Sequence, residues 1–512
     1  MPQIGYQWLS NTYGVVPVHP FAVRSEIGRI RSTSTDEDIR REVYPEPYRP
    51  AASLTDNLTF AFRYEGIHLE FLARLYALQA VRHELEAWIV REPTGAYARR
   101  ACFFYEWLMP EPLNAPGASR GNYVDALNPE DFIVGTPVNN TRWRIRDNLP
   151  GNRDFCPVIR RVEAVQRAEA YDLAAPLAEL EAAYGIDLIL RSAVWLTVKE
   201  SRASFLIEHE QDREDRIRRF AAVMESECGQ HANPFDAETL DVLQRGILGQ
   251  SALRYGIRRS PVYVGHVARY QPVVDYIAPP WEHIDRMLAG LSRFLERTAE
   301  GAPIVRAAAA SFGFVYVHPM ADGNGRISRF LINDILRRDG AVPAPIILPV
   351  SATITHSTRD RAAYDKVLER FSRPLMKHYA DQYSFGKTEI AQDGVEYNLH
   401  FQAYNDALPA WRYPDLTAHV IYLADVIDVT LTHEMRAEAR FLHANDKARR
   451  AIKEFLEAPD NDLDSIIRSV RQNDNSVSNN LRKRYPLLND RPALGAQIVQ
   501  AITEAFSDEN DR

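Results

Sequence analysis

Apolar residues return every three to four positions through much of this chain, the signature of helices with one buried face. The clearest stripe lies within residues 58–90, where Phe71, Leu75, Leu78, Leu85, Trp88 and Ile89 share one continuous face. A second helical run covers 97–108 and stops before Pro110. Residues 162–228, rich in Ala, Glu, Arg and Leu, predict two or three helices; 281–295 predicts another, and 362–368 opens one more. Leu416, Val420, Leu423, Ile427, Leu431 and Met435 keep the same step in a long helix, and short helices follow over 462–472, 477–485 and 493–506. Strand signals are few. Val262-Tyr263-Val264, between Pro261 and Gly265, predicts a short strand in a hairpin. Residues 1–57 show little periodicity and end in Tyr44-Pro45-Glu46-Pro47-Tyr48-Arg49-Pro50, whose prolines fix extended backbone and predict an arm packed on the body. Residues 110–160 carry turn signals such as Pro150-Gly151-Asn152 and predict a long insert or a small hairpin.

The densest chemistry is His318-Pro319-Met320-Ala321-Asp322-Gly323-Asn324-Gly325-Arg326, with Arg329 following. His318 can hold or release a proton near neutral pH. Asp322 offers the hard oxygen that Mg²⁺ prefers. Gly323-Asn324-Gly325 leaves backbone N–H groups open to an anion, and Arg326 and Arg329 bring guanidinium forks suited to phosphate. Ile327, Phe330, Leu331 and Ile335 then mark one apolar helix face, with Arg326, Arg329 and Asn333 on another. The glycine turn therefore opens a helix whose N-terminus is an anion site with a base at its rim. The bland alternative is a chance Gly-Asn turn before an ordinary helix.

This stretch resembles the signature of the Fic family, His-x-Phe-x-(Asp/Glu)-Gly-Asn-Gly-Arg-x-x-Arg, departing only at Met320, where Phe is usual. Upstream, Ser204-Phe205-Leu206-Ile207-Glu208-His209 is similar to the family's inhibitory motif, (Ser/Thr)-x-x-x-Glu-(Gly/Asn), with His209 as the departure. The resemblance implies a mainly α fold: a Fic helical bundle core with a small β-hairpin flap, an N-terminal helical region, and a C-terminal helical region that a winged-helix-like arrangement would suit. It implies transfer of AMP from ATP to a hydroxyl side chain of a target protein. In that reading His318 is the general base and Asp322 holds Mg²⁺. The amides of Gly323, Asn324 and Gly325, with the Asn324 side chain, form the anion hole. Arg326 steadies the leaving phosphates, Arg329 orients the outermost phosphate until Glu208 displaces it, and Ser204 helps hold the inhibitory helix. Val262, Tyr263 and Val264 become the flap that aligns the target by backbone pairing, and Tyr364 is a candidate contact for the adenine. The alternatives are a solvated charge for Glu208 within the run Glu208, Glu210, Asp212, Glu214 and Asp215, an ordinary hairpin, and a buried aromatic without a ligand role.

At 512 residues the chain has room for about three domains, read as 1–160, 161–380 and 381–512. A net charge of −8 argues against broad adhesion to nucleic acid or anionic membrane. Cys102, Cys156 and Cys228 are few and far apart, which fits a reducing compartment. No signal peptide and no apolar run of about 20 residues is visible, so a cytoplasmic location is expected, with no membrane contact. A homodimer is an open possibility. The same site would also serve AMP removal or transfer of another phosphate-containing group. From a different class comes a DNA-binding regulator with a vestigial core, for which Asn473-Asp474-Asn475-Ser476 followed by Arg482-Lys483-Arg484 is the one cue, though three basic residues more often form a solvated face.

Overall fold

In the computed structural model, which describes residues 1–36, 39–208, 214–251, 254–268 and 271–507, the helix Pro303–Val317 is the axis of the molecule. Its proline sits in the first turn, where a missing N–H is no loss. Residues 304–314 are all buried, and Ala307, Ala308, Ala309 and Ala310 let neighbouring helices approach closely. Helices Ile284–Arg297, Asn324–Arg338, Thr417–Val429 and Glu163–Ala170 pack around it. The one buried cation on this helix, Arg306, is answered by both oxygens of Asp339 at 2.6 and 3.1 Å and by the Leu295 carbonyl at 2.8 Å.

The long helix Ile186–Ile207 lies across this bundle and carries Ser204 near its C-terminus. It is tied at three levels. Lys199 donates to Glu434 at 2.8 Å, Arg191 pairs with Asp446, and buried Glu200 accepts both the amide and the hydroxyl of Ser351, at 2.6 and 2.5 Å. Glu200 thereby caps the short helix Val350–Ile354 with a carboxylate at its positive end.

Outside the bundle the pattern of expectations holds unevenly. The periodic stretch 58–90 is helical but broken into Leu54–Tyr64, Leu69–Tyr76 and Gln79–Arg91, with Gly66 at φ 86° making the first corner. The run 97–108 is the helix Ala96–Leu108. Residues 1–57 are more ordered than an arm. They form the helix Tyr6–Tyr13 and a four-stranded sheet in the order Gln3–Ile4, Val23–Ile27, Ile39–Tyr44, Ser32–Asp36, with the middle pair parallel. The strands escaped the sequence reading because they are short, and Ser32–Asp36 is wholly exposed and polar, held by backbone pairing and by two side-chain contacts to the next strand, Thr33 to Glu42 at 2.9 Å and Asp36 to Arg41 at 3.2 Å. Within the proline stretch, Glu46–Tyr48 makes a single 3₁₀ turn. Residues 110–160 contain a three-stranded sheet of Val124–Asp125, Ile145–Asp147 and Val138–Asn140.

The long C-terminal helix runs Thr417–Val429, widens through a π-turn at Thr430–Glu434, and continues as Met435–Lys453. Beyond it, Asp460–Gln472, Asn479–Arg484, Leu487–Asp490 and Pro492–Ser507 close a separate small core built on Leu463, Ile467, Ile498 and Ile502. Among the described residues this part has helices and no strand; the hairpin of the C-terminal region, Tyr383–Ile390 with Glu396–Phe401, comes before the long helix. The turn before Asn479–Arg484 uses Asp474 and Asn475 at positive φ, and Arg484 bonds to Ser465 at 2.9 Å. No helix among the described residues is long and apolar enough to cross a membrane.

Candidate active site

The axial helix ends at His318, which caps it in the left-handed conformation, φ 49° and ψ 56°. A side chain there is strained by one or two kcal/mol, roughly, so the surrounding contacts must hold it. The strain swings the ring out of the helix line and leaves it half-buried. Nδ1 lies 3.1 Å from the Val315 carbonyl; a carbonyl only accepts, so Nδ1 carries the proton and Nε2 keeps its lone pair. Burial and the neighbouring Arg258 guanidinium push the imidazole pKa down to about 4, against the pull of the Val315 carbonyl and Glu208. At neutral pH the ring is an uncharged base.

The chain then turns through Pro319 to Gly323, where φ 90° requires glycine, and enters the helix Asn324–Arg338. The first-turn amides of that helix have no partner within it and project from its positive end. Asn324 departs from expectation. Its carboxamide accepts from the Met320 amide at 2.9 Å and donates to the Met320 carbonyl at 2.8 Å, closing the loop on itself. The side chain is 3 % exposed and supports the helix N-terminus from behind. Met320 itself is fully buried, an apolar anchor in the place where the signature has Phe. Gln244, which sequence reasoning passed over, donates to the Asp322 carbonyl at 2.9 Å and receives the Gly256 amide at 2.7 Å, pinning the loop from outside. The Asp322 side chain remains 42 % exposed, with Oδ1 held by Arg326 at 2.9 Å. Arg326 in turn lies over the Phe205 ring at 5.1 Å.

Arg329 is buried and points back to the long helix. Its Nε donates to Ser204 Oγ at 2.7 Å; its Nη2 donates to the Ser204 carbonyl at 3.0 Å and to Glu208 Oε1 at 2.7 Å. Burial works against the charge of both partners, but their attraction wins: the Glu208 carboxyl is held below its usual range and the Arg329 guanidinium above its own. The carboxylate lies directly over Gly325, so close that a Cβ there would collide with it. Glu208 thus fills the space above the helix N-terminus. Arg329 Nη1 is buried without a hydrogen-bond partner among the described residues, facing the same space. Tyr364 is 6 % exposed, packed on Phe312 and Tyr422 with Arg361 over its ring. It lies beside the Arg329–Glu208 pair, within reach of the charge of both. His209 lies outside the described residues.

The predicted hairpin is present: Tyr263–Ala268 pairs with Gln271–Ile277, with a bulge at Gly265. Val262 stands just before the strand and accepts the Ala278 amide at 3.1 Å; Tyr263 and Val264 are partly exposed, at 37 % and 43 %. Tyr263 meets Phe385 of a second hairpin, Tyr383–Ile390 with Glu396–Phe401, edge to face. Between hairpin and base sits Arg258, also missed from sequence. It is 0 % exposed and donates to the carbonyls of His318, Ser260 and Pro279, each at 2.7 Å. Nothing in the pair Arg258-Arg259 marks one as buried; Arg259 faces Asp285 and Trp281. Asp393, from the second hairpin's turn, receives the Arg259 amide at 2.7 Å and the Ser260 hydroxyl at 3.1 Å. Two clefts flank this strand, one of about 540 Å³ beside Ile257 and one of about 630 Å³ beside Arg259, Pro261 and Trp281.

Residues 234–336 match the sequence model of the Fic/DOC family. The chain is 39 % identical over 124 residues to a protein adenylyltransferase of Caenorhabditis briggsae, covering 24 % of this chain and 22 % of that protein. It is 34 % identical over 111 residues to the protein adenylyltransferase Fic of Drosophila melanogaster, covering 21 % and 20 %. A Fic family protein from Desulfovibrio desulfuricans aligns in three dimensions over 61 % of this chain and 87 % of that chain, at 19 % identity and a TM-score of 0.37. The chain therefore spans about a fifth of the length of the curated relatives it matches, and Ser204 and Glu208 fall outside the matched segment. Over residues 234–336, loop and signature helix included, the chain carries a domain of the Fic/DOC family.

Proposed function

We propose that the chain is a protein adenylyltransferase: it transfers AMP from ATP to a hydroxyl of a protein side chain and is restrained by Glu208. One observation carries the reading. A neutral imidazole with a free Nε2 stands just ahead of a glycine-flanked helix N-terminus, and the arginine of that helix is clamped by a carboxylate lying over the anion site. The names of the matched relatives, protein adenylyltransferases, support the same class.

The steps follow from the residues. Nε2 of His318 takes the proton of the attacking hydroxyl, which then displaces pyrophosphate at the α-phosphorus. The first-turn amides of the signature helix and Arg326 stabilise charge on the phosphates by position, without a covalent intermediate. Arg329 receives the outermost phosphate when Glu208 withdraws. Asp322, exposed at the loop and a hard oxygen ligand, would hold Mg²⁺. When bound, Mg²⁺ would neutralise phosphate charge. The hairpin edge at Tyr263 and Val264 would align the target by strand addition.

The test is labelling with radioactive ATP. Glu208→Gly is expected to raise self-labelling above wild type, and His318→Ala in that background to abolish it while ATP binding stays within a few-fold. Undiminished labelling by the His318→Ala protein would remove the base from the scheme. Incubation with AMP-modified protein separates transfer from removal.

A further inference from the structure

We propose that Arg258 is a positioning residue of this site, a clamp that makes the catalytic base and the hairpin one mechanical unit. The proposal rests on the reading of His318 as base. Its geometry is direct. The guanidinium fork is planar and rigid, and each of its three nitrogens donates to a different carbonyl: Nε to His318, Nη1 to Ser260 before the hairpin, Nη2 to Pro279 after it. The backbone joins in, with the Arg258 amide donating to the Pro319 carbonyl at 2.9 Å and Ile257 bridging Met320. Both legs of the hairpin and the strained peptide of His318 therefore meet at one side chain.

The choice of residue is otherwise hard to justify. A fully buried cation is expensive unless paired, and among the described residues Arg258 forms no ion pair; only carbonyls receive it. Burial pulls its own pKa down to about 10, still far above neutrality, so the charge persists. That charge lies on the His318 carbonyl, 2.7 Å away, and after burial it is the next influence that lowers the imidazole pKa. The other groups facing the ring are Glu208 from the end of the long helix, the Val315 carbonyl of its own helix, and the Tyr276 ring of the hairpin at 6.4 Å. Arg258 is the cation among them, so it adds to burial in disfavouring imidazolium and helps keep Nε2 available. One residue thus serves two ends: it holds the base in place, and it holds the base deprotonated.

The experiment uses the full chain in the Glu208→Gly background, with Arg258→Gln and Arg258→Lys. Hydrogen exchange reads the clamp without relying on activity. Arg258→Gln is expected to speed exchange in 263–268, 271–277 and 318–320 together, by roughly tenfold or more; unchanged exchange in either the hairpin or the His318 segment overturns the clamp. The pH profile of self-labelling with ATP reads the charge. Loss of Arg258 should move the acid limb to higher pH, because a base that protonates more readily is lost sooner as pH falls, whereas Arg258→Lys, which keeps the charge, should leave the limb in place and lower the rate roughly 10- to 100-fold. An even loss of rate at every pH in Arg258→Gln, with no shift of the limb, leaves only a structural role and refutes the proposal. Should Arg258→Gln fail to fold, Arg258→Lys decides through exchange alone: faster in both segments supports the clamp, wild-type exchange overturns it. If Glu208→Gly itself does not label while Arg258→Gln loosens both segments, the failure belongs to the transfer reading and the clamp stands.

Discussion

Gly325 shows at the smallest scale how little room the Glu208 carboxylate leaves above the helix N-terminus. A methyl group there would occupy the position of the Glu208 carboxylate and would also come within 3.2 Å of Arg329 Nη1. Gly325→Ala should therefore break the Glu208–Arg329 pair, as Glu208→Gly does, yet give no gain in ATP affinity, since the new methyl shields the amides that the phosphates need. Calorimetry with ATP on both variants checks this; tight binding by Gly325→Ala would mean that the phosphates sit elsewhere. At this scale the geometry of the loop was legible: Gly323 takes the positive φ that opens the helix, and Arg326 and Arg329 lie on that helix as its period requires. The role of Asn324 was not, because the same carboxamide can face a ligand or its own loop, and only the position of Met320 decides which.

The helix Ile186–Ile207 is the element on which the proposed restraint would depend. Its C-terminal turn presents three acceptors to Arg329, two of them from Ser204. A hydrogen bond to a charged group contributes about 1.5–3 kcal/mol, so Ser204→Ala should weaken the latch without opening it fully. ATP affinity and self-labelling are expected between wild type and Glu208→Gly; values at wild type would show that Glu208 alone holds the arginine. The helix can act this way because it is anchored elsewhere. Glu200 caps Val350–Ile354 and Lys199 reaches Glu434 in the π-turn, so the last turn can yield while the body of the helix stays docked. These anchors lie 151 and 235 positions away in sequence, which is why periodicity showed the helix and not what fastens it.

Across the whole molecule, buried histidines set part of the response to acid. His419 is 0 % exposed and shares a 2.6 Å hydrogen bond with Tyr316; burial pushes its pKa down to about 3 from the ordinary 6.5. Above pH 6.5 the ring is neutral in both folded and unfolded chains and adds no pH dependence. Below it the unfolded chain binds the proton and the fold does not, so stability is lost as pH falls toward the folded value. Glu65 and Glu200, each raised to about 7 by burial, work in the opposite direction over the same interval. A raw stability curve therefore mixes the two, and a variant is needed. The destabilisation caused by His419→Asn should be smaller at pH 5 than at pH 7 by about 2 kcal/mol, the product of roughly 1.5 pH units and ~1.4 kcal/mol per unit. Urea denaturation at both pH values checks this, and an equal difference at both would show that His419 titrates normally in the fold.

The sequence by itself determined the helical character of the chain, the place and chemistry of the signature loop, and the existence of a hairpin upstream of it. These are local properties: a 3.6-residue period, a run of reactive side chains, and turn residues at the ends of a β-prone segment all lie within a few positions of one another. Tertiary structure decided the rest. It brought Glu208 to Arg329 across 121 positions of chain and laid its carboxylate over Gly325. It turned the Asn324 amide inward and made a sheet of a segment with no readable period. It also buried Arg258 while leaving Arg259 at the surface. A carbonyl acceptor carries no side-chain signature, so a residue whose partners are all carbonyls is visible only once the backbone has been folded around it.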